Sequence, residues 1–273
     1  MNTDKTDRFL QIAKVAAEQA GDYLLENRGK ICVDEVDEKG RSDFVTHVDR
    51  HSEQLIVRTI QKHFPHHAIL AEEGGLHQKA GPYHWVIDPL DGTTNFIQNI
   101  PFFCISIAVL KDGHPLVGVV YDPVHQEMFT AIRGKGAFLN DAPITVSKID
   151  QPERAVLGTG FPWRSKRYLP QYLQAFEAIF LRTAGMRRAG SAALDLCYTA
   201  CGRFAGFWEL GLSLWDIAAG SLLVQEAGGV VSDFWGKPNH LNTGYIIAGN
   251  KNMHQFLQEV LSYYFKRNEP KMT

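Results

Sequence analysis

A hydrophobic run that stops on two carboxylates constrains this chain more than any other feature. Residues 85–96 read Trp-Val-Ile-Asp-Pro-Leu-Asp-Gly-Thr-Thr-Asn-Phe. Trp85-Val86-Ile87 has the composition of a buried strand, so Asp88 and Asp91 fall at its end, on a sheet edge. Pro89 fixes the turn and lets both side chains point at one spot. Two carboxylates held together repel each other unless a cation sits between them. Oxygen-only ligands suit Mg²⁺, which takes octahedral geometry at roughly 2.0–2.1 Å. Gly92, Thr93 and Thr94 then supply small residues and hydroxyls, and a helix starting there would turn free N–H groups toward an anion. Asp-Gly alone would be an ordinary turn. The complete string points to a metal site beside an anion site.

Two further acidic positions fit that chemistry. Ala71-Glu72-Glu73-Gly74-Gly75 follows the apolar pair Ile69-Leu70. Adjacent glutamates at a strand end cannot easily face one ligand together, so one is expected to bind metal and the other to orient water. Leu214-Trp215-Asp216-Ile217 places an acid where a helix begins. Taken singly, these are a solvated turn and a helix cap. Their weight comes from the combination.

The surrounding pattern divides the chain in two. Phe9, Ile12, Ala16, Ala20, Tyr23 and Leu24 recur at helical steps. Residues 34–41 read as a loop or weak hairpin, and Thr46-x-x-Asp49 as the capping box of a second helix that stops before Pro65. Apolar runs at 104–110 and 116–121, then at 128–132 and 137–139, predict two hairpins. After residues 141–151 strands and helices alternate: strands at 156–160, 204–210, 230–231 and 245–248, helices at 171–182, 191–201, 216–227 and 253–264. That alternation predicts a mixed or parallel sheet. The division expected is 1–145, carrying most of the acids, and 146–273, carrying Asp216, both in one compact unit.

Composition narrows the partners. The formal net charge of the 273 residues is -2, with no basic surplus for nucleic acid or a polybasic membrane contact. No apolar run reaches the roughly 18–20 residues of a bilayer span. The polar N-terminus does not read as a signal peptide, so a cytoplasmic location is expected, with Cys32, Cys104, Cys197 and Cys201 as free thiols. His63, His66 and His67 flank Pro65 without an acid or cysteine at ligand spacing and are expected at the surface.

Glu72-Glu73, Asp88-Pro89-Leu90-Asp91-Gly92-Thr93-Thr94 and Trp215-Asp216 together resemble the inositol monophosphatase family, in its bacterial form. The resemblance runs from Asp43 and Asp49 to Gly228-Gly229. It implies an α+β fold, a layered αβαβα sandwich of the inositol monophosphatase and fructose-1,6-bisphosphatase type. It implies one Mg²⁺ on Glu72, Asp88 and the Leu90 carbonyl, a second on Asp88, Asp91 and Asp216, and a third, weaker ion near Glu72. Gly92 and Thr93 match phosphate and water positions. Gly190, Ser191, Ala192 and Glu209 match positions that contact the sugar or polyol. Glu72, Glu73 and Thr93 are then the residues expected to activate water, with no covalent phosphoenzyme. The substrate expected is a small phosphate monoester, inositol 1-phosphate foremost. Relatives with the same metal motif act on fructose bisphosphate, histidinol phosphate or nucleotide 3'-phosphates. Phe161-Pro162-Trp163-Arg164, where family members differ, is expected to shape the pocket, and Arg187-Arg188 to bias it toward anions or simply to be solvated. The spacing from Lys39 to Asp43 is shifted from the family pattern, so no role is carried to Lys39. The family also implies a homodimer, and some bacterial relatives act as partners of the transcription machinery.

Overall fold

The computed structural model describes residues 3–31, 36–40, 43–76 and 81–266. Cys32 lies outside them, as does the side chain of Lys39. Helix α1 (Thr3–Asn27) buries Phe9, Ala13, Ala16, Ala17, Ala20 and Leu24 along one stripe. A short antiparallel hairpin, β1 (Val36–Gly40) and β2 (Asp43–Thr46), occupies the stretch left open between loop and hairpin. Helix α2 (His47–His63) opens on the expected capping box: the Thr46 N–H and hydroxyl both donate to Asp49 Oδ2, at 2.8 and 2.6 Å.

The first sheet follows: β3 (Ala68–Ala71), β4 (Gly75–Leu76), β5 (Tyr83–Asp91), the one-turn helix α3 (Thr93–Ile97), then β6 (Cys104–Lys111), β7 (His114–Asp122), β8 (Glu127–Ile132), β9 (Ala137–Leu139) and β10 (Ala142–Pro143). Its eight strands run in the order β10-β9-β8-β7-β6-β5-β3-β4. Strands β5 to β10 form an antiparallel meander. The exception is β3, which pairs parallel to β5 with Ala71 opposite Ile87. A parallel pair needs a crossover and advances both chains in the same direction. The residues that follow, Glu72 and Asp88, therefore emerge side by side.

The second sheet is built from β11 (Val156–Thr159), α4 (Leu169–Phe180), β12 (Gly185–Arg187), α5 (Ala192–Ala200), β13 (Gly206–Leu210), α6 (Leu214–Glu226), β14 (Val230–Ser232), α7 (His240–Thr243), β15 (Tyr245–Gly249) and α8 (Lys251–Tyr264). Its order is β12-β11-β13-β15-β14, with β11 parallel to both neighbours and β15 antiparallel to both of its own. The sheet is mixed, as the alternation predicts.

Side-chain alternation assembles the layers. On β5, Trp85 and Ile87 pack toward α1 and α2, while Val86 faces α5 and α6. On β13, Phe207 faces α5 and α6, while Trp208 packs toward α4 and α8. Period-two strands buried on both faces make helix, sheet, helix, sheet, helix. The middle layer is tight. A Cβ placed on Gly118 of β7 would lie 2.9 Å from the Ala219 carbonyl oxygen of α6. Gly118→Ala is expected to push α6 off the sheet and destabilise the fold by about 1–3 kcal/mol, measured as a fall in midpoint on chemical denaturation.

Two details refine the sequence reading. His67 is half-buried: its ring stacks between Phe64 and Tyr83, and Nδ1 accepts a 3.0 Å hydrogen bond from Trp85 Nε1. Burial pushes its pKa down, with the nearby Lys5 charge adding to the effect. Cys104 and Cys197 are buried free thiols and Cys201 is half-buried. Among the described residues no helix is long and apolar enough to cross a membrane.

Candidate active site

The acids meet where strand ends of both sheets approach the N-termini of α5 and α6. Parallel pairing delivers Glu72, whose N–H donates to the Ile87 carbonyl at 3.2 Å. Helix α2 braces both loops. The Ser52 hydroxyl donates to the Pro89 carbonyl at 2.9 Å, and Glu53 accepts the N–H groups of Glu73 and Gly74 at 2.8 and 3.2 Å. Asp88 Oδ1 takes the Leu90 N–H at 3.0 Å. Asp216, on the first turn of α6, accepts the Ser213 N–H at 2.7 Å, so the helix cap also aims the carboxylate. Glu72, Asp88 and Asp216 each offer an oxygen within 4.8 Å of the others. Three hard oxygen donors at that spacing suit a divalent cation.

Asp91 stands beside this trio, held from the other side. Its Oδ2 accepts the Ser191 hydroxyl and the Ala193 N–H, both at 2.7 Å. The Ser191 hydroxyl is thus committed to positioning Asp91, and it also accepts the Leu194 N–H as the cap of α5. Gly92 sits at φ +100°, and a Cβ there would meet the Phe102 carbonyl at 3.0 Å, so only glycine turns this corner without strain. The Thr93 hydroxyl reaches two acceptors, Asp49 Oδ1 and the Leu90 carbonyl, each at 3.0 Å. Asn95 ties the corner to the other half of the chain by donating to the Phe102 and Ala189 carbonyls, at 2.7 and 2.9 Å.

These groups open on a cavity of about 270 Å³. Glu72, Asp88, Leu90, Asp91, Gly92, Thr93, Gly190, Ser191, Ala192, Glu209 and Asp216 all line it. Glu73, the neighbour of Glu72, is not among the lining residues. Packing so many acids together shows in their proton affinities. Burial, reinforced by Glu72, Asp91 and Asp216, lifts Asp88 well above the usual carboxylate range. Burial raises Asp91 to about 6 against the hydrogen bonds from Ser191 and Ala193. It raises Asp216 to about 7 against the Arg164 charge, and Glu209 to about 8 with help from Asp216 and Asp91. Such repulsion is what a bound cation relieves.

Three cavity residues go beyond the motifs. Arg164 comes from the segment expected to shape the pocket, and it does more: its guanidinium stacks on Trp163, donates to Asp216 Oδ2 at 3.0 Å and lies 3.6 Å from Glu72 Oε1. A cation on those oxygens competes with a metal. Arg164→Met is expected to tighten divalent-cation binding roughly threefold to tenfold, partial exposure screening the effect, measured by calorimetric titration. Arg188, the second of the arginine pair, lines the cavity with its guanidinium over Phe161. Asp195, an acid inside the apolar run Ala192–Cys197, is 1% exposed and also lines the cavity. Its isolation among apolar residues is the one sequence signal that could have found it.

A five-layer sandwich with a carboxylate-floored cavity where its sheets converge describes a known class of phosphatases. Residues 5–264 match the inositol monophosphatase family, and the chain belongs to it. It is 52% identical to the Nus factor SuhB of Pseudomonas aeruginosa over 247 residues, 89% of this chain and 91% of that protein. Among solved structures, an inositol monophosphatase from Anabaena superposes with a TM-score of 0.84 at 42% identity, covering 94% of this chain and 96% of that one. The extragenic suppressor protein suhB of Bartonella henselae superposes with a TM-score of 0.89 at 38% identity, covering 96% and 100%.

Proposed function

We propose that this chain is a cytoplasmic, Mg²⁺-dependent phosphatase of small polyol phosphate monoesters, with inositol 1-phosphate the foremost substrate. The observation that carries the reading is the convergence of Glu72, Asp88 and Asp216 on one point of the cavity. Those residues, the Leu90 carbonyl and Asp91 Oδ1 would hold two Mg²⁺ ions, with a third, weaker one beside Glu72. When bound, the ions supply Lewis acidity and offset the charge of the phosphate and the leaving alkoxide. The residues do the rest. A Thr93 hydroxyl that donates to Asp49 keeps its lone pairs to orient a water. Glu72, which lines the cavity where Glu73 does not, would take that water's proton. Gly92 permits the tight corner that carries Thr93 to the cavity. Arg164 and Arg188 give the cavity wall positive charge against the carboxylate floor.

A homodimer fits the exposed apolar side chains on and beside α4, among them Leu173 at 54% and Leu181 at 74% exposure. The test of the function is phosphate release from a panel containing inositol 1-phosphate, fructose 1,6-bisphosphate, histidinol phosphate and a nucleotide 3'-phosphate. The reading expects the highest kcat/KM on inositol 1-phosphate. A higher value on another ester would reassign the substrate.

A second reading follows from the name of the Pseudomonas relative, a Nus factor. The chain then also serves as a binding partner of the transcription machinery. Comparing Asp91→Ala with a full deletion in the cell separates the two. A deletion phenotype that Asp91→Ala does not reproduce assigns that phenotype to binding.

A further inference from the structure

Two buried carboxyl groups outside the metal trio, those of Asp195 and Glu209, line the same cavity. Asp195 is 1% exposed, and among the described residues its side chain makes no hydrogen bond; its Oδ1 is fully buried and unpartnered. Glu209 is 7% exposed and buried beside it. Both line the cavity with Thr159, Gly160 and Arg188. Burial raises both acids; the Glu209 charge raises Asp195 further, and the Asp216 and Asp91 charges raise Glu209. Leaving a buried polar group without a partner is costly, and such groups in folded proteins call for an explanation.

The backbone around them is shaped to keep that space. A Cβ on Gly160 would lie 2.0 Å from Glu209 Oε1. Glycine at 160 is what lets the Glu209 carboxyl lie against the cavity wall. Asp195 is carried on α5 between Leu194 and Leu196, both fully buried, so its position is fixed by core packing. The two carboxyl groups are therefore rigid, desolvated and turned to the same cavity. Hydroxyl groups of a ligand are suited to them, because each hydroxyl both donates and accepts and so matches a carboxyl in either protonation state.

We infer that Asp195 is a specificity-determining residue, which adds a second buried carboxyl to the polyol contact that the family implies for Glu209. The inference rests on the phosphatase reading above and extends it to a residue outside the motifs. Its consequence is selective: Asp195 discriminates esters that carry hydroxyls from esters that lack them, and leaves the reacting phosphate alone.

The test compares wild type with Asp195→Leu, close in shape but unable to hydrogen-bond, and with Asp195→Asn, which keeps that ability. Each is assayed on inositol 1-phosphate and on p-nitrophenyl phosphate, which has no hydroxyl. Asp195→Leu is expected to lose about 10- to 100-fold in kcat/KM on inositol 1-phosphate, to stay within about twofold on p-nitrophenyl phosphate, and to melt no lower than wild type. Asp195→Asn is expected to recover most of the loss. Equal losses on both esters, or no loss on either, would overturn the subsite. If wild type turns over neither ester, the phosphatase reading fails by itself. Calorimetric binding of the same two esters then decides the subsite: a preference for the inositol ester that Asp195→Leu abolishes supports it, and no preference overturns it.

Discussion

Replacing Asp88 with asparagine is expected to lower turnover by about 10³ or more, the loss of several kcal/mol of metal-borne charge stabilisation, while the cation-free protein melts at a higher temperature. The two effects share one cause. Asp88 is 2% exposed and is crowded by the charges of Glu72, Asp91 and Asp216. Asparagine has nearly the same shape and keeps an oxygen for the Leu90 N–H, which now meets Asp88 Oδ1 at 3.0 Å. It removes the charge that the fold must bury and that a cation needs. A structural residue would behave oppositely, losing stability along with activity. The gain in melting temperature should shrink toward low pH, where Asp88 is already protonated and neutral. Kinetics on the polyol ester and a thermal melt in chelator measure both effects.

The second large effect is on stability against pH. In the unfolded chain the site acids ionise near pH 4. In the folded protein Asp91 ionises at about 6, Asp216 at about 7 and Glu209 at about 8. Between these limits the folded form holds more protons than the unfolded one, so stability is highest below about pH 4 as far as these groups are concerned, and falls as pH rises to about 8. A divalent cation needs the ionised carboxylates, so its binding strengthens over the same window. The protein in chelator is expected to lose stability steadily from about pH 5 to about pH 8. Mg²⁺ at a hundred times its dissociation constant restores about 2.7 kcal/mol. Melts at several pH values, with and without Mg²⁺, check both slopes. A cation-free protein that gains stability over that range would contradict the assignment of raised acids.

How much of this was legible beforehand differs from residue to residue. The strand that ends on Asp88 and Asp91 is readable because its signal is local: apolar run, proline, acid, glycine. The capping box at Thr46 and Asp49 is readable for the same reason, four residues carrying their own geometry. The alternation that places Trp85 and Val86 on opposite faces of the sheet is readable from the period of a strand. The parallel pairing of β3 with β5 is not. It depends on a crossover through residues whose pattern suits either direction, and it alone brings Glu72 to Asp88. The aromatic seat of His67 is hidden likewise, since Phe9 comes from α1, Tyr83 and Trp85 from β5, and Phe64 from the end of α2. Arg164 and Asp195 belong to the same class. Each reaches the cavity through the packing of the second sheet against α5 and α6, and neither carries a local motif.

The cavity is also where the fold gives up stability. Asp88, Asp195, Glu209 and Asp216 are buried acids, each raised by desolvation. A chain selected for stability alone would place apolar side chains at such positions. All four line one cavity, where a bound cation would offset their charge.

The most direct test of the central claim is phosphate release from inositol 1-phosphate by the full chain, first stripped with chelator and then titrated with Mg²⁺. Expected are no turnover after stripping, recovery that saturates with Mg²⁺, and no recovery in Asp91→Asn. Full turnover that survives the chelator, or an Asp91→Asn protein as active as wild type, would contradict it.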